Sequence, residues 1–396
     1  MPAFKATPQQ AIPRTIWALG LVSLFMDLSS ELVHSLLPLF LVGTLGASML
    51  TVGLIEGLAE ASALLVKVFS GVFSDFIGRR KGLLLLGYGL AALSKPLFPL
   101  ADSAQTVFAA RLLDRIGKGI RGAPRDALIA DVAPAAIRGA CFGLRQSMDT
   151  AGAFLGPILA IVLMLWFDGN ITQVLWFAPI PAVLAVALLW GGVREPDRPT
   201  RPRPLRSPVR LRSLGQFSRA FWWVVGIGAV FTLARFSEAF LLLRAAQLGL
   251  PLSWVPLIMV VMAAFYMLSA YPAGKWSDRI ERSALLAASL LLLIAADVLL
   301  AYAESVVSML LGVALWGLHM GFSQGILAAL VADTTPAELK GSAFGLFNLI
   351  SAIAVLLASA TAGWLWQAYG AAVTFHAGAA LATAALLLLG LRRATQ

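Results

Sequence analysis

The sequence predicts an all-α integral membrane protein, with twelve transmembrane helices in two pseudo-symmetric six-helix bundles. Three observations carry this expectation. The 396 residues are 59% hydrophobic and only 13% charged, where a soluble domain is about 25% charged. Apolar windows of about 20 residues recur from end to end, a length that crosses a hydrocarbon core of about 30 Å. The basic residues gather in alternate loops, the positive-inside pattern. The runs are continuous, as in Leu83–Leu93 and Ala284–Ala296, unlike the short alternating segments of a β-barrel.

The spans fall at 15–43, 50–74, 82–100, 105–125, 138–166, 172–193, 220–246, 253–276, 283–302, 306–330, 341–366 and 371–391. Loops around Ala47, Asp102, Asp168, Pro251, Glu304 and Ala368 hold no Lys or Arg. The others hold Arg79, Arg80, Lys81, Arg125, Arg138, Arg279, Arg282 and Lys340. Both termini, with Lys5 and Arg14 at one and Arg392 and Arg393 at the other, join the basic class. This predicts a multi-pass protein of a bacterial cytoplasmic (inner) membrane with both termini cytoplasmic. The first apolar run follows a polar start and has no small-residue cleavage site, so it reads as a retained helix.

Residues 194–219 form the clearest boundary, with eight arginines and five prolines. Such proline spacing makes a semi-rigid extended segment, suited to a cytoplasmic linker against anionic headgroups. It divides an N-terminal bundle, 1–193, from a C-terminal bundle, 220–396. The two are copies. ALIADVAPAAIRGACFGL from Ala127 matches ALVADTTPAELKGSAFGL from Ala329, pairing Asp131 with Asp333 and Pro134 with Pro336 at an offset of 202. Six spans per copy keep the orientation, so the repeats are parallel, about an axis along the membrane normal.

Several function classes drop out. A single cysteine, Cys141, excludes an intramolecular disulfide framework, and His34, His319 and His376 are too scattered for a metal motif. The net charge of +10 follows membrane topology and does not form a nucleic-acid face. Gly117-Lys-Gly119-Ile-Arg-Gly122 fits the dinucleotide pattern, but that pattern has force only between a strand and a helix. No nucleophile–base arrangement, phosphate loop or metal cluster is visible, so an enzyme, a cofactor and a bound metal are not expected.

Charge at membrane depth is costly and marks a protein interior or wet cavity. Span four is the densest stretch, Arg111 to Asp131. Arg115 lies about ten residues, hence about 15 Å, from its outer end. Span one offers Asp27, Glu31 and His34 on one helical face, so its carboxylates are expected opposite Arg115. Span two adds Glu56 and Glu60, and span five adds Arg145 and Asp149, each pair one turn apart. In span seven, Arg235 and Glu238 are spaced to pair. A carboxylate whose arginine partner moves between states takes up and releases a proton. The expected proton-coupling set is therefore Asp27, Glu31, Arg115, Asp149, Glu56 and Glu60. The expected substrate cavity adds His34, Arg111, Arg145, Arg235 and Glu238, with Trp316, His319 and Gln324 from the second half.

Gly71-Val-Phe-Ser-Asp75-Phe-Ile-Gly78-Arg79-Arg80-Lys81 resembles the loop signature between spans two and three of the major facilitator superfamily, and Gly274-Lys-Trp-Ser-Asp278-Arg279 its weaker second copy. Phe76 stands where that signature has Arg, and Glu281 where it has Gly. Arg115-Ile-Gly-Lys-Gly119 resembles the family's fourth-span motif. Gly152-Ala-Phe-Leu-Gly156-Pro157 resembles the fifth-span motif of its drug:proton antiporters, though Ile158-Leu159-Ala160 departs from it. The resemblance implies a cytoplasmic latch from Gly71, Asp75, Gly78, Arg79, Arg80, Asp126, Asp131, Asp278, Arg279 and Asp333. In that latch Asp75 meets the positive end of span eleven near Gly341. It also implies a monomeric proton-coupled secondary transporter of a small organic solute, working by alternating access, with efflux by antiport foremost. Proton-linked uptake of a metabolite or metal chelate, and lipid or lysolipid translocation, remain open alternatives. The implied partners are a small-molecule substrate, protons and membrane lipids.

Overall fold

In hydrocarbon every backbone polar group needs an internal partner, so the apolar runs become helices. The computed structural model describes residues 11–195, 211–277, 279–323, 325–336 and 339–394. Most of the Arg/Pro-rich linker, together with Asp278 and Gln324, lies outside the described residues.

Helix α1 (Arg14–Leu39) runs past Pro38, which lacks a backbone donor, into a π turn at Phe40–Thr44. α2 (Met49–Ile77) begins at Ser48, whose hydroxyl accepts the Thr51 N–H, and ends at Gly78, in the left-handed region at φ 69°. α3 (Lys81–Ser94) is short and continues as a 3₁₀ turn to Leu97. α4 (Ala104–Val132) is capped by Ser103 and stays helical through Pro124. α5 (Arg138–Trp166), α6 (Ile171–Leu175) and α7 (Pro179–Gly192) complete the first half. The second holds α8 (Arg219–Ala234), α9 (Ala239–Gln247), α10 (Leu257–Ser277), α11 (Arg282–Ala301), α12 (Val306–Ser323), α13 (Ile326–Asp333), α14 (Lys340–Tyr369) and α15 (Ala371–Ala394). Ser305 caps α12 as Ser103 caps α4, at the repeat's own offset.

These helices make twelve passes, because the sixth, seventh and tenth passes each comprise two helices. Two expected spans keep their bounds but are broken inside them. The span predicted over 220–246 is interrupted at 235–238, where Arg235 leaves helical geometry at φ −107° and ψ 83°. The span predicted over 306–330 is interrupted at Gly325, in the left-handed region. α4 in turn overruns its predicted end at 125, since its glycines are contact surfaces and not breaks. Among the described residues, ten helical stretches are long and apolar enough to cross a membrane. The two passes outside that set are α3, with 14 residues, and the heavily charged α4.

The packing repeats. In the first half α1 packs on α5 and α7, α2 on α4, and α3 on both α4 and α7. In the second, α8 packs on α14 and α15, α10 on α12, and α11 on both α12 and α15. The halves meet where α2 crosses α14, α5 crosses α10 and α1 touches α9. The α2–α14 crossing is made of small residues. A side chain at Gly57 would stand 3.0 Å from the Leu356 carbonyl oxygen, and one at Gly53 or Gly363 would overlap the other helix's backbone. These glycines let the backbones approach closely. They lie toward the end whose loops lack basic residues, where Leu50 N–H also donates to Gln367 Oε1 at 3.4 Å.

Candidate functional site

A cavity of about 420 Å³ lies between the halves. Its first-half wall carries Asp27, Glu31 and His34 from α1, Glu56 and Glu60 from α2, Arg115 from α4 and Asp149 from α5. The opposite wall is more apolar, with Met259, Met262, Tyr266 and Met320, and includes the unwound stretch 235–238 between α8 and α9. A membrane helix broken at a cavity offers backbone polar groups there without exposing them to lipid.

The local reason for the acidic wall is the close contact of α1 with α5. A side chain at Gly156 would stand 2.9 Å from both the Glu31 Cβ and the Leu28 carbonyl oxygen, and Gly152 fits against Leu24. The two glycines of the fifth-span motif therefore press α5 onto the back of the acidic face. One turn before Gly152, Asp149 shares the cavity wall with Asp27. Asp149 also takes two cations: Arg145 Nη1 lies 3.2 Å from Oδ2, and Arg125 Nη1 lies 3.5 Å from Oδ1. Arg125 reaches back to Ser23 Oγ at 3.3 Å, so α1, α4 and α5 converge on this acid pair.

A second chain of charge runs beside it. Arg111 grips Glu56 with two hydrogen bonds, of 3.1 and 2.7 Å. His34 bridges the acids, with Nδ1 3.3 Å from Glu31 and Nε2 3.7 Å from Glu56. Arg115 pairs with Glu60 at 2.9 Å. Behind them, Asp114 takes Lys95 at 2.8 Å and stands 3.7 Å from Arg115. Buried charges persist in proteins when paired in this way.

Nine of the residues expected at the site from sequence line the cavity: Asp27, Glu31, His34, Glu56, Glu60, Arg115, Asp149, Arg235 and Glu238. The structure moves four others behind its wall. Arg111 is consumed by Glu56, and Arg145 by Asp149 and Gln146. His319 is buried against Ser289, whose Oγ lies 2.8 Å from its Nδ1, and Trp316 packs on Phe236. Arg115 faces Glu60 of α2, not the α1 carboxylates expected opposite it. Sequence reasoning passed over Lys95, although a lone lysine inside the apolar run before Leu100 was itself a signal.

The expected latch residues pair within their own halves. Arg80 donates to Asp131 at 2.7 Å and to Ser74 at 3.1 Å, and stands 3.3 Å from Asp75. Arg282 bonds Asp333. Asp126 is 3.4 Å from Arg125, and Gly71 packs on Ala123. Arg79 and Arg279 are exposed. Asp75 thus turns to Arg80 and not to the start of α14, because the halves touch at the other end. Lys81 caps the end of α7, donating to the Trp190 and Val193 carbonyls at 2.7 Å each. The Glu195 carboxylate receives the Arg80 and Lys81 backbone N–H groups.

Twelve helical passes in two like halves, with a charged cavity at the repeat interface, define an α-helical membrane transporter. The chain belongs to the Major Facilitator Superfamily, whose family model matches residues 19–265 and 239–396. It is 31% identical over 384 residues to a protein of Methanocaldococcus jannaschii described as an uncharacterised MFS-type transporter, covering 96% of this chain and 94% of that one. It is 23% identical to the multidrug resistance protein MdtH of Edwardsiella ictaluri, covering 87% and 85%. The fold matches that of a mutant form of the nucleoside transporter NupG, with a TM-score of 0.81 at 12% identity over 95% of this chain and 99% of that one.

Proposed function

We propose that this protein is a proton-coupled secondary transporter that exports a small organic solute by antiport. The observation that carries the reading is the Asp27–Asp149 carboxyl pair in the cavity wall. Two carboxyl groups on one cavity wall hold a proton between them more readily than two anions, which repel. Arg125 and Arg145 bring two cations to Asp149. A solute entering the cavity, or a shift of α5 against α4, changes those contacts and releases the proton. Exchange of proton for solute on one acidic wall is antiport. The fifth-span glycines that seat α5 behind this pair, and the likeness to a protein described as a multidrug resistance protein, support export over uptake.

With the basic loops in the cytoplasm, the α2–α14 seam closes the outer side and the cavity belongs to an inward-facing state. The latch residues then stand ready to meet when the inner side closes. The test is purified protein in proteoliposomes with an imposed pH gradient. Solute movement against its own gradient, opposite to the proton flow, is expected. Movement indifferent to the pH gradient sinks the reading, and co-directional movement replaces antiport with symport.

A further inference from the structure

The second half holds a carboxylate that the mechanism above does not use. Asp297, on α11, is fully buried, and neither of its carboxyl oxygens has a hydrogen-bond partner among the described residues. On α12, which packs on α11, Trp316 Nε1 and His319 Nε2 share that condition. His319 Nδ1 stands 2.9 Å from the Ser289 carbonyl oxygen. Donating its proton there leaves Nε2 a bare acceptor.

The pocket around Asp297 is built by a missing side chain. A Cβ at Gly378 of α15 would stand 2.6 Å from Asp297 Oδ2 and 3.0 Å from Phe236 Cε1. Gly378 therefore makes room for the carboxyl group, and the Phe236 ring abuts the same spot. Phe236 packs on Trp316 at 5.5 Å and on Phe375 at 5.6 Å. It also lines the central cavity. It sits in the unwound stretch 235–238.

Among the described residues, the elements packed on α11 bring no counter-charge. α12 carries no Asp, Glu, Lys or Arg. α15 presents Gly378, and its His376 turns to Tyr302 at 5.1 Å. Lys275 of α10 and Asp333 of α13 lie at the basic-loop ends of their helices, while Asp297 is four residues from the opposite end of α11, at Ala301. Arg235 and Glu238 face the cavity on the far side of Phe236. No charged side chain among the described residues reaches Asp297. An ionised carboxylate so placed is far costlier than the neutral acid.

We propose that Asp297 is a second proton-binding site, housed in the C-terminal half and connected to the central cavity past Phe236. It rests on the proton-coupled reading and adds a station to it. Asp297 lies between the sealed end and the cavity, so a proton admitted from the sealed side passes it before reaching Asp27 and Asp149. Phe236 is the positioning residue that separates the two stations.

Infrared difference spectroscopy of the full-length protein in phosphatidylcholine–phosphatidylglycerol vesicles tests this without a transport assay, so the proton-coupled reading can fail separately. The wild type should show a protonated-carboxyl C=O band that is missing in Asp297→Asn. That band should shift on transfer to D₂O, and Phe236→Ala should hasten the shift severalfold. Where the Asn variant does not fold, Asp297→Glu keeps the acid and should displace the band. Undiminished acid bands in Asp297→Asn, a band unmoved in Asp297→Glu, or a band that never shifts in D₂O each overturn the proposal. So does an exchange rate indifferent to Phe236→Ala.

Discussion

Lys95 Nζ stands 2.8 Å from Asp114 Oδ1 and 3.0 Å from Ser30 Oγ, with all three residues buried. The contact ties the end of α3 to α4 and α1 at the back of the acidic wall. Removing Lys95 leaves Asp114 only its longer contacts to Arg111 and Arg115, at 3.9 and 3.7 Å; breaking a buried pair costs about 3–5 kcal/mol, while replacing both members with apolar residues of similar volume is near neutral. Lys95→Met should therefore lower the unfolding midpoint of the detergent-solubilised protein sharply, and Lys95→Met with Asp114→Leu should recover most of the loss. Equal midpoints for Lys95→Met and wild type would show that the pair contributes nothing.

The acid pair gives a functional test. Asp27→Asn keeps the shape of the side chain but removes its titration. Proteoliposomes bearing it should lose pH-driven transport and retain solute exchange at equal pH on both sides. Asp149→Asn should do the same and also weaken folding, because Arg125 and Arg145 lose a shared partner. Retention of full gradient dependence by Asp27→Asn rejects this pair as the coupling site.

The crossing of α2 and α14 predicts a conformational effect. Gly57→Leu introduces four carbons where one already meets backbone at 3.0 Å. With nitroxides at Leu54→Cys and Trp364→Cys, in a Cys141→Ser background, the distance distribution should lengthen on adding Gly57→Leu. Unchanged distances would mean that the seam is looser in the membrane than the contacts imply.

Arg80 hydrogen-bonds the Asp131 carboxylate and the Ser74 hydroxyl and stands 3.3 Å from Asp75, a fork that a lysine does not reproduce. Arg80→Ala should cost about 2–3 kcal/mol, from loss of hydrogen bonds to charged partners. Arg80→Lys should restore less than half of it. Chemical denaturation monitored by tryptophan fluorescence reads both, and full rescue by lysine would reduce Arg80 to a simple charge.

The architecture was legible because hydropathy windows and the basic-loop alternation act over whole helices and survive local error. The acidic faces of α1 and α2 were legible for a similar reason, since helical spacing alone aligns Asp27, Glu31 and His34. The break at 235–238 was not legible, because it holds neither Gly nor Pro and follows from tertiary packing. Trp316 and His319 were expected at the cavity as the aromatic and polar groups of span ten, the counterpart of span four, and do not line it. What decides their orientation is a serine one helix away and an aromatic ring. Asp297 sits in an unbroken apolar run and left only the bare fact of a charge at depth.

The glycine crossing of α2 on α14 has a mechanical consequence. Surfaces that interlock through large side chains must lift out of register before they slide, and each release exposes a socket. Here the two helices bear on each other through nearly bare backbone at Gly53, Gly57 and Gly363. The crossing thus works as a smooth bearing, on which one half can tilt against the other with little friction and no side chain to withdraw.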